Sequence, residues 1–496
     1  MPEAVFYQNG TIVRKVSFTA PARLSELSDQ IPQPCGGKGY CGKCRVQVRG
    51  HLSRLTKSEY DNLSAKEREQ GFRLACQAMA TGNISITLPA AAETKKADMA
   101  DVPSVAPLGK EYGFVLDLGT TTISAALYHL PSGKKCGQKS AANPQSFDGA
   151  DVLTRIDHAM HGDARRLSTT VQHALFDICA SLLMGQRLAP NDADAAVLVG
   201  NTAMLYLLLE KDPVSISAAP FRSDTLFGDF FPADFLPVRK GTKLYVPPCI
   251  SAFLGADATS AVLGSRLDQT DSAILADLGT NAEMILRQGD GFLGCSCAAG
   301  PAFEGVGLTY GMPAVDGAVH TVRLSGGYYS FQTVNEAVPK GFCGSGLVDM
   351  IACMVRSGAL QKDGKLTGAD RFYLDDTPLY LSQQDIRAFQ LAKSAVRTGL
   401  EVLQSRAAQN VQALYLAGTF GAHLHPASAC RIGLLPASLQ KNTIACGNAA
   451  GTGGAMLLLD QTTIRKAEAV ASHTQTIQLA DLPQFQNMLC QFTMLE

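Results

Sequence analysis

Cys35-Gly-Gly-Lys-Gly-Tyr-Cys41-Gly-Lys-Cys44 is a glycine-rich stretch with three cysteines, and a fourth cysteine, Cys76, follows some thirty residues later. The spacing C-x5-C-x2-C…C is close to C-x4-C-x2-C…C, a pattern in which four thiolates hold one iron–sulfur cluster. A loop around a cluster needs positive-φ turns and backbone N–H groups aimed at the sulfurs, and glycines supply both. The spacing therefore predicts a [2Fe–2S] cluster on these four cysteines.

A structural zinc site is the alternative for four clustered cysteines. Zinc sites usually combine two short C-x2-C pairs, whereas three of the four candidate ligands here share one loop. This difference favours the iron–sulfur interpretation. The sequence contains 14 cysteines, and we expect most of the other ten to be small buried hydrophobic residues.

Residues 1–90 have the pattern of a small β-rich domain. The Asn-Gly hairpin signal and the alternation of apolar residues predict its elements. They are two strands in Ala4–Phe18 around Asn9-Gly10, a helical turn in Ser25–Gln30, a strand at Arg45–Arg49, a helix over Ser53–Arg68 and a strand at Asn83–Leu88. This order of strand pair, helix, cluster loop and closing strand resembles the β-grasp ferredoxin fold.

The overall composition indicates a globular protein with several domains. A chain of 496 residues exceeds what one core usually supports, and its net charge of −1 gives no reason to expect nucleic acid or an anionic membrane as a partner. The N-terminal residues show no leader pattern, and no apolar run reaches the length of a membrane span. We therefore expect a cytoplasmic protein, and the cysteine content fits a reducing compartment.

A second pattern consists of a strand, an Asp, a Gly-Thr turn and another strand. It occurs as Asp117-Leu-Gly119-Thr120-Thr121-Thr122 and again, about 160 residues later, as Asp277-Leu-Gly279-Thr280-Asn281-Ala-Glu283. A hairpin tip of this kind offers N–H and hydroxyl groups to phosphate oxygens. Two copies set half a domain apart indicate an internal duplication, and thus two related α/β halves.

These two loops resemble the phosphate loops of the actin-like (ASKHA, ribonuclease H-like) ATPase superfamily, whose duplicated lobes close over ATP. The resemblance implies that Asp117 and Asp277 organise Mg²⁺ and the attacking water. The implied phosphate-loop residues are Gly119, Thr120, Thr121, Thr122, Gly279, Thr280 and Asn281. Each aspartate could instead be a residue that caps its turn through a side-chain hydrogen bond.

Two further segments fit the same plan. Gly200-Asn201-Thr202 follows a strand and resembles a hinge connection, and Gly418-Thr419-Phe420-Gly421 resembles the adenosine motif. Thr419 stands where relatives often have a second glycine. The alternative is that these segments are glycine-rich turns of an unrelated doubly wound sheet.

The predicted fold class is therefore α/β and α+β multidomain, with a β-grasp ferredoxin-like domain followed by duplicated actin-like ATPase lobes. The predicted domains are 1–90 for the [2Fe–2S] ferredoxin-type domain, 91–111 for a flexible linker, 112–270 for the first ATPase lobe and 271–496 for the second. The linker is predicted from its small residues, alternating charges and two prolines.

A ferredoxin module in front of such an ATPase resembles one family, the ATP-dependent reductive activators of corrinoid proteins. The resemblance covers nearly the whole chain. Its landmarks in this sequence are Asn143-Pro-Gln145, Gly200-Asn201-Thr202, Gly255-Ala-Asp257, Ala298–Gly305, Gly341–Asp349 and Gly433–Pro436. Members of the family return an inactive Co(II) corrinoid to Co(I) for methyl transfer, with ATP supplying the free energy.

The resemblance also implies site residues and partners. Glu283 is a third catalytic candidate beside the two aspartates, and Asp257 and Glu304 are further acidic candidates, each of which could be a structural hydrogen bonder. The segment Cys295–Phe303 would face the corrinoid, with Ser296 as a polar contact. The implied cofactors are a [2Fe–2S] cluster, ATP and Mg²⁺. The implied partners are a corrinoid protein of a methyltransferase system and an external low-potential electron donor, and a homodimer is left open.

Two other functions compete with this hypothesis. An activator of radical or dehydratase enzymes would also drive electrons uphill with an actin-like ATPase, but we expect its cluster to be held by cysteines of the ATPase. A non-catalytic redox sensor would bind nucleotide without turnover, and the retained Asp117, Asp277 and Glu283 disfavour it. Cys295 with Cys297, and His423 with His425, could be metal ligands, but core packing and a loop pair are the expected roles.

Overall fold

The chain divides into two compact units. A computed structural model describes residues 1–8, 11–28, 31, 33, 37, 39, 42–88, 97–149 and 151–496. One unit consists of Met1–Glu93 and Pro144–Leu167, and the other of Thr94–Asn143 and Ser168–Glu496. Among the helices of these described ranges, none is both long and apolar enough to cross a bilayer.

The first unit is built on a six-stranded mixed sheet. Its strands are β1 (Glu3–Gln8), β2 (Thr11–Ser17), β3 (Ala22–Arg23), β4 (Arg45–Leu52), β5 (Phe72–Leu74) and β6 (Met79–Thr87). The order is β2-β1-β6-β4-β5, and β3 pairs with β6. The predicted antiparallel pair of β1 and β2 is confirmed, and the Asn9-Gly10 turn lies outside the described residues.

The prediction of one helix over Ser53–Arg68 is wrong. Two short helices occupy this stretch, α1 (Lys57–Asn62) and α2 (Ala65–Glu69). Each begins at its own capping box, in which the hydroxyl of Thr56 or Ser64 and a glutamate three residues later satisfy the first N–H groups. The extended backbone at Leu63 separates the two.

A buried ion pair holds α1 against β5. The guanidinium Nε of Arg73 donates to Glu59 Oε1 at 2.7 Å, the backbone N–H of Leu74 donates to the same oxygen at 3.1 Å, and the Glu59 side chain has no exposed surface. Burial alone would raise the pKa of Glu59, but the hydrogen bonds from Arg73, Thr56 and Leu74 outweigh it, so the pKa lies below its ordinary value.

The second unit contains the duplicated sheets. The first has β7 (Tyr112–Leu118), β8 (Thr122–His129), β9 (Lys134–Ala142), β10 (Ala193–Gly200), β11 (Phe227–Pro232) and β12 (Lys243–Pro248), in the order β11-β12-β10-β7-β8-β9. The other has β13 (Ser272–Leu278), β14 (Ala282–Gln288), β15 (Gly291–Cys297), β21 (Ala413–Ala417), β22 (Thr443–Gly447) and β23 (Thr474–Ile477), in the order β22-β21-β13-β14-β15-β23. In both sheets the Asp-Leu-Gly-Thr hairpin is central and antiparallel, as predicted.

Smaller strands and most of the helices complete the structure. The strands are β16 (Ala318–Ser325), β17 (Tyr328–Thr333), β18 (Gly341–Phe342), β19 (Arg371–Tyr373) and β20 (Tyr380–Ser382). The helices after α2 are α3 (Val152–His158), α4 (Ala164–Gly185), α5 (Thr202–Leu208), α6 (Val214–Ser217), α7 (Ala256–Gly264), α8 (Gly344–Ser357), α9 (Gln383–Arg406), α10 (Gly418–Ala422), α11 (Pro426–Arg431), α12 (Ala449–Leu459), α13 (Thr463–Ser472) and α14 (Phe485–Gln491).

Helices α7 and α12 pack at very short range. A Cβ on Gly453 would lie 1.9 Å from the carbonyl oxygen of Ser260, and a Cβ on Gly264 would lie 2.1 Å from that of Ala449. Real Cβ atoms do not approach so closely, so only glycine permits this contact. The core around these helices includes Val115 from the first sheet and Leu275 from the second, so α7 and α12 join the two halves.

Residues 97–111, which we expect in a flexible linker, lie along the second unit. The backbone N–H of Ala100 donates to Thr452 Oγ1 at 3.0 Å, those of Val105 and Leu108 donate to carbonyls at the end of α12, and Met99 is 1% exposed. A chain with so many main-chain partners is not free to move there. Residues 89–96 lie outside the described residues.

We expect Glu59→Gln to destabilise the first unit by about 3 kcal/mol, because it leaves the Arg73 charge buried without a counter-charge. Glu67→Gln is the matched control, because it removes only the exposed pair with Arg45, and it should cost less than about 1 kcal/mol. Hydrogen exchange of peptides covering β5 measures both. Equal losses of stability in the two variants would contradict the view that Glu59 and Arg73 form the ion pair that stabilises this unit.

The same pair predicts a pH dependence with a defined sign. Because the folded pKa of Glu59 is lowered, its contribution is complete above the pKa of an unfolded glutamate, about 4.3. It is lost as the pH falls from there through the lower folded pKa. The stability difference between wild type and Glu59→Gln should therefore narrow below about pH 4, as measured by urea unfolding.

Candidate functional site

The two predicted phosphate hairpins meet at their tips. The hydroxyl oxygens of Thr121 and Thr280 are 3.3 Å apart. Each tip is closed by its glycine, since Gly119 N–H donates to Thr122 O at 3.1 Å and Gly279 N–H donates to Asn281 O at 3.0 Å. The structure therefore brings together loops that are about 160 residues apart in the sequence.

The segment Gly300–Glu304 connects the two tips, the first through the Glu304 carboxylate and the second through the Gly300 backbone. The Thr121 hydroxyl donates to Glu304 Oε2 at 3.0 Å. Glu304 ends a short 3₁₀ helix, Pro301–Glu304, and the preceding Gly300 donates its N–H to Thr280 O at 2.9 Å. Glu304 was one of several acidic candidates from sequence, and the structure brings it to both loops.

Asn143 supports the first tip, a role that the sequence did not reveal. Its backbone N–H donates to Thr121 O at 2.8 Å, and its side-chain Nδ2 donates to Gly119 O at 2.9 Å. Asn143 has no exposed surface. The signal was its place directly after the strand β9, but only the sheet order brings it to the tip.

Asp117 lies at the end of β7 and is 2% exposed. Asn448 Nδ2 donates to Asp117 Oδ2 at 2.7 Å, while Asn448 Oδ1 accepts from Gly451 N–H at 2.7 Å and so caps α12. One asparagine thus orients a carboxylate and begins a helix. The sequence around Gly447-Asn448 predicts a connection that runs into a final helix, and an Asn immediately before a helix is a capping signal, but the contact with Asp117 is not evident from the sequence.

Asp277, Glu283 and Ser296 form a row across three neighbouring strands. Asp277 pairs with Glu283, and Glu283 pairs with Ser296. Directly opposed residues of antiparallel strands have side chains on the same face. The predicted corrinoid contact Ser296 therefore lies on the face that carries the two carboxylates.

The pKa of Glu283 is raised well above its ordinary value. The first cause is burial, and the negative charges of Asp257 and Asp277 add to it. Asp257 reaches this place from the first turn of α7. Three acidic side chains from three elements therefore lie close enough to interact, and both burial and this repulsion favour the neutral form of Glu283.

These carboxylates do not form a complete metal site by themselves. Within the described ranges, no group of three or more His, Cys, Asp and Glu side chains is arranged to hold a metal ion. Mg²⁺ usually takes only one or two carboxylates, together with substrate phosphates and water. Asp117 and Asp277, which end equivalent strands, fit that requirement.

The predicted adenosine motif begins directly beside Asp277. Asp277 pairs with Ala417 at the end of β21, and Gly418 follows with φ +79°. A Cβ on Gly418 would lie 2.5 Å from Asp277 Oδ1, so glycine is required both by its backbone angle and by the carboxylate. This close approach joins the motif to the acidic row.

The neighbours of Gly418 make contacts of their own. Thr419 Oγ1 accepts a hydrogen bond from Ala97 N–H at 3.2 Å, and Phe420 stacks on Phe303 with ring centroids 4.6 Å apart. Gly421 lies within α10. Phe303 precedes Glu304, so this stack connects the motif to the loop that contacts the hairpin tips.

Gly200 ends the internal strand β10, and Asn201 follows it, beside the end of β7 that carries Asp117. Gly200 pairs with Leu118, and the Asn201 side chain accepts from Ala203 N–H at 3.0 Å as the cap of α5. A Cβ on Gly255 would lie 2.5 Å from Gly200 O. The described contacts of these residues are thus structural ones within the predicted hinge.

Two of the four predicted cluster ligands are described, and they lie together. Cys44 and Cys76 are 2% and 1% exposed, and their sulfur atoms are 3.3 Å apart. A hydrogen bond from Cys44 lowers the pKa of Cys76 to about 6, burial opposes this shift, and Gln77 and the Gly39 N–H add to it. Thiolate character of this kind suits a metal ligand. Cys35 and Cys41 lie outside the described residues.

The other sulfur and imidazole pairs have structural surroundings. Burial raises the pKa values of Cys295 and Cys297, which lie on β15 and belong to the hydrophobic core. His423 contacts Thr419 O through Nδ1 at 2.9 Å, and His425 contacts Ser428 Oγ through Nδ1 at 3.2 Å. These local contacts agree with the expected core and loop roles.

Comparison with known proteins matches nearly the whole chain. Family models for the C-terminal domain of RACo (the ASKHA domain), for the RACo middle region and for the 2Fe-2S iron-sulfur cluster binding domain match residues 271–496, 112–270 and 20–81. The corrinoid activation enzyme RamQ of Eubacterium limosum is 32% identical over 410 residues, which are 75% of this chain and 68% of RamQ. The chain belongs to the family of reductive activators of corrinoid proteins.

Two further proteins that are similar to this chain have descriptions that fit the same family. The [Co(II) methylated amine-specific corrinoid protein] reductase of Methanosarcina barkeri is 24% identical over 371 residues, 66% of this chain and 67% of that protein. A solved structure, described as a reductive activator for corrinoid, iron-sulfur protein, is 25% identical with a TM-score of 0.72 and covers 100% of this chain and 98% of its own. The family membership confirms the predicted fold class, a [2Fe–2S] domain followed by a nucleotide-binding ASKHA domain.

We expect Gly418→Ala to reduce nucleotide affinity by about tenfold or more, because the added Cβ would meet Asp277 Oδ1 and an alanine at this φ costs about 1–2 kcal/mol. Gly358→Ala is the matched control, because Gly358 caps α8 with nearly the same φ of +78° and a Cβ there would meet no atom within 4 Å. Calorimetric titration of full-length protein with ATP and Mg²⁺ compares them. Equal affinities would argue against a nucleotide at this motif.

Proposed function

We propose that this protein carries out ATP-dependent reductive activation of a corrinoid protein, in which one electron returns inactive Co(II) corrinoid to Co(I) for methyl transfer. The observation that carries the proposal is the meeting of the two Asp-Leu-Gly-Thr hairpins at Thr121, Thr280 and Glu304. The same chain holds the Cys44–Cys76 pair in a domain of [2Fe–2S] type. The similarity to RamQ and to a Co(II) corrinoid protein reductase supports the substrate class.

Cys35, Cys41, Cys44 and Cys76 would hold the [2Fe–2S] cluster. When bound, the cluster supplies a one-electron carrier. The hydrogen bond from Cys44 lowers the pKa of Cys76 to about 6, which favours the thiolate, and the Gln77 side chain donates toward that sulfur at 3.5 Å. N–H donors of this kind orient and tune a cysteine ligand.

The second unit would bind ATP between its hairpins. The N–H and hydroxyl groups of the two tips would contact phosphate oxygens, and the Gly418–Gly421 segment would lie at the adenosine. Asp117 and Asp277 would bind Mg²⁺ and orient the attacking water, with Asn448 fixing the position of Asp117. Glu283, whose pKa is raised by burial and by the charges of Asp257 and Asp277, is the third catalytic candidate.

The energetic coupling would come from a change in partner affinity. Reduction of the Co(II) corrinoid is unfavourable for a ferredoxin-type donor, so free energy must be supplied from ATP. A nucleotide can supply it only by favouring one of two conformations that bind the partner differently. The Thr121–Glu304 contact joins the two halves of the second unit, so phosphate bound at the tips would act directly on their separation.

The segment Cys295–Phe303 is the proposed contact with the corrinoid. Ser296 is partly exposed and shares a sheet face with Glu283 and Asp277. A serine hydroxyl in this row would place a polar ligand next to the proposed nucleotide site. That proximity offers a short route by which nucleotide state could alter the contact to the partner.

We expect Asp277→Asn to lower ATP turnover and ATP-dependent Co(II) reduction by at least about a hundredfold, because it removes a charge aimed at the reacting phosphate. Asp290→Asn is the matched control, because this exposed residue lies in the turn between β14 and β15. Visible spectroscopy of a Co(II) corrinoid protein under anaerobic conditions measures the reduction. Full-speed reduction by wild type without nucleotide would refute the coupling.

We expect Cys76→Ser to lose the cluster while ATP binding by the second unit persists, because the substitution removes a proposed ligand and changes no group near the hairpins. Cys490→Ser is the control, because Cys490 is exposed in α14. Iron and sulfide content after anaerobic reconstitution measures the loss. A Cys76→Ser protein with undiminished iron would overturn the ligand assignment.

A further inference from the structure

Most of the positive charge of the N-terminal domain follows the cluster loop. Residues 1–88 contain 12 Lys and Arg and 7 Asp and Glu, a net charge of +5, whereas the whole chain has −1. Residues 42–70 alone contain seven Lys and Arg against four Asp and Glu, and one of these acids, Glu59, is buried against Arg73. The exposed charge of this segment is therefore strongly positive.

This segment is in contact with the cluster loop. Asn62 Nδ2 at the end of α1 donates to Gly39 O at 3.3 Å, and the Arg45 guanidinium donates to Asn62 O at 2.8 Å. Gly39 in turn donates its N–H to the Cys76 sulfur. The end of α1 thus lies next to Gly39, which contacts Cys76, and Arg45 joins α1 to α2 through its pair with Glu67.

The surface of α1 and α2 combines basic residues with one aromatic ring. Tyr60 is 57% exposed, and the Arg68 guanidinium lies 4.8 Å from its ring centroid. Besides the buried Glu59, the acidic residues on these helices are Asp61, Glu67 and Glu69, and Glu67 is paired with Arg45. We define the α1–α2 face as Lys43, Arg45, Lys57, Tyr60, Lys66 and Arg68.

We propose that the α1–α2 face is the docking surface of the external electron donor, and that this donor is a small redox protein with an acidic surface. The inference rests on the proposed function and specifies one of its partners. In the step itself the donor loses one electron and the cluster gains one, and no proton or group is transferred.

The character of the face favours a transient donor over the corrinoid partner. Brief electron-transfer encounters use small, charged and salt-sensitive interfaces, and the α1–α2 face offers many charges and a single exposed ring. A partner held through an ATP-driven cycle needs a larger interface with more buried apolar surface. Complementary charge also raises the rate of encounter by about ten to a thousandfold at low salt.

The test compares two charge reversals of equal size in the full-length, anaerobically reconstituted protein. Lys57→Glu/Lys66→Glu alters the α1–α2 face. Arg14→Glu/Lys15→Glu makes the same change of net charge on β2, at the opposite edge of the sheet from β5. Stopped-flow absorbance follows cluster reduction by a reduced acidic ferredoxin, and calorimetry follows binding of the same ferredoxin in its oxidised form.

We expect Lys57→Glu/Lys66→Glu to lower the second-order rate constant about tenfold or more at 0.01 M salt, where charges act over about 30 Å. Binding should weaken in parallel, and the difference should disappear at about 1 M salt, where screening is complete within about 3 Å. Arg14→Glu/Lys15→Glu should lower both quantities clearly less than Lys57→Glu/Lys66→Glu does at 0.01 M salt, and should change them less than about twofold at 0.1 M salt, where charges act over only about 10 Å. Reduction by photoreduced deazariboflavin, which is neutral, should be unchanged in all three proteins.

Two results would overturn the proposal. Equal slowing by both double variants would show a general effect of net charge. Unchanged ferredoxin kinetics, together with slower ATP-dependent Co(II) reduction by the pre-reduced variant, would assign the face to the corrinoid partner or to the acidic remainder of this chain. The donor step is measured without ATP or corrinoid protein, so a failure of the proposed function, seen as no ATP-dependent Co(II) reduction by wild type, is recorded separately.

Discussion

The hydrogen bond from Thr121 to Glu304, beside the Thr121–Thr280 contact, joins the two halves of the second unit at the ends of their central hairpins. Several features of the second unit bring the two hairpin tips together. Gly264 and Gly453 let α7 and α12 pack without side chains between them, which brings the two sheets into one core. Asn143 and Asn448 then hold the first tip and Asp117 in place. The proposed chemistry depends on this convergence, because a phosphate must be contacted from both halves at once.

The two units concentrate charges of opposite sign, negative in the second unit and positive in the first. In the second unit, burial and the neighbouring charges of Asp257 and Asp277 raise the pKa of Glu283, and a bound cation would offset the repulsion among these carboxylates. In the first unit, the buried Glu59–Arg73 pair places α1 beside the cluster loop and leaves the remaining surface of that segment basic. The acidic group of the second unit suits a phosphate-bound cation, and the basic surface of the first unit suits an acidic protein.

Local patterns predicted the hairpins, the cluster loop and the order of the elements, because strand alternation and glycine turns act over a few residues. The errors arose where local signals compete or where distant contacts decide. Ser53–Arg68 contains two capping boxes, and the second one ends the helix that overall periodicity predicts. Residues 97–111 have the composition of a linker, yet their backbone N–H groups find partners on α12 that composition does not reveal.

The type of chemistry can be recognised without knowledge of the fold. Four cysteines around a glycine loop, and an Asp-Leu-Gly-Thr repeat about 160 residues apart, are visible in the order of the residues alone. Which groups act together depends on the folded chain. Asn448 reaches Asp117, Gly418 approaches Asp277, and Ser296 aligns with Glu283 because strands distant in the chain become neighbours in a sheet. Register and sheet order arise from burial of whole faces, a property that no single segment contains.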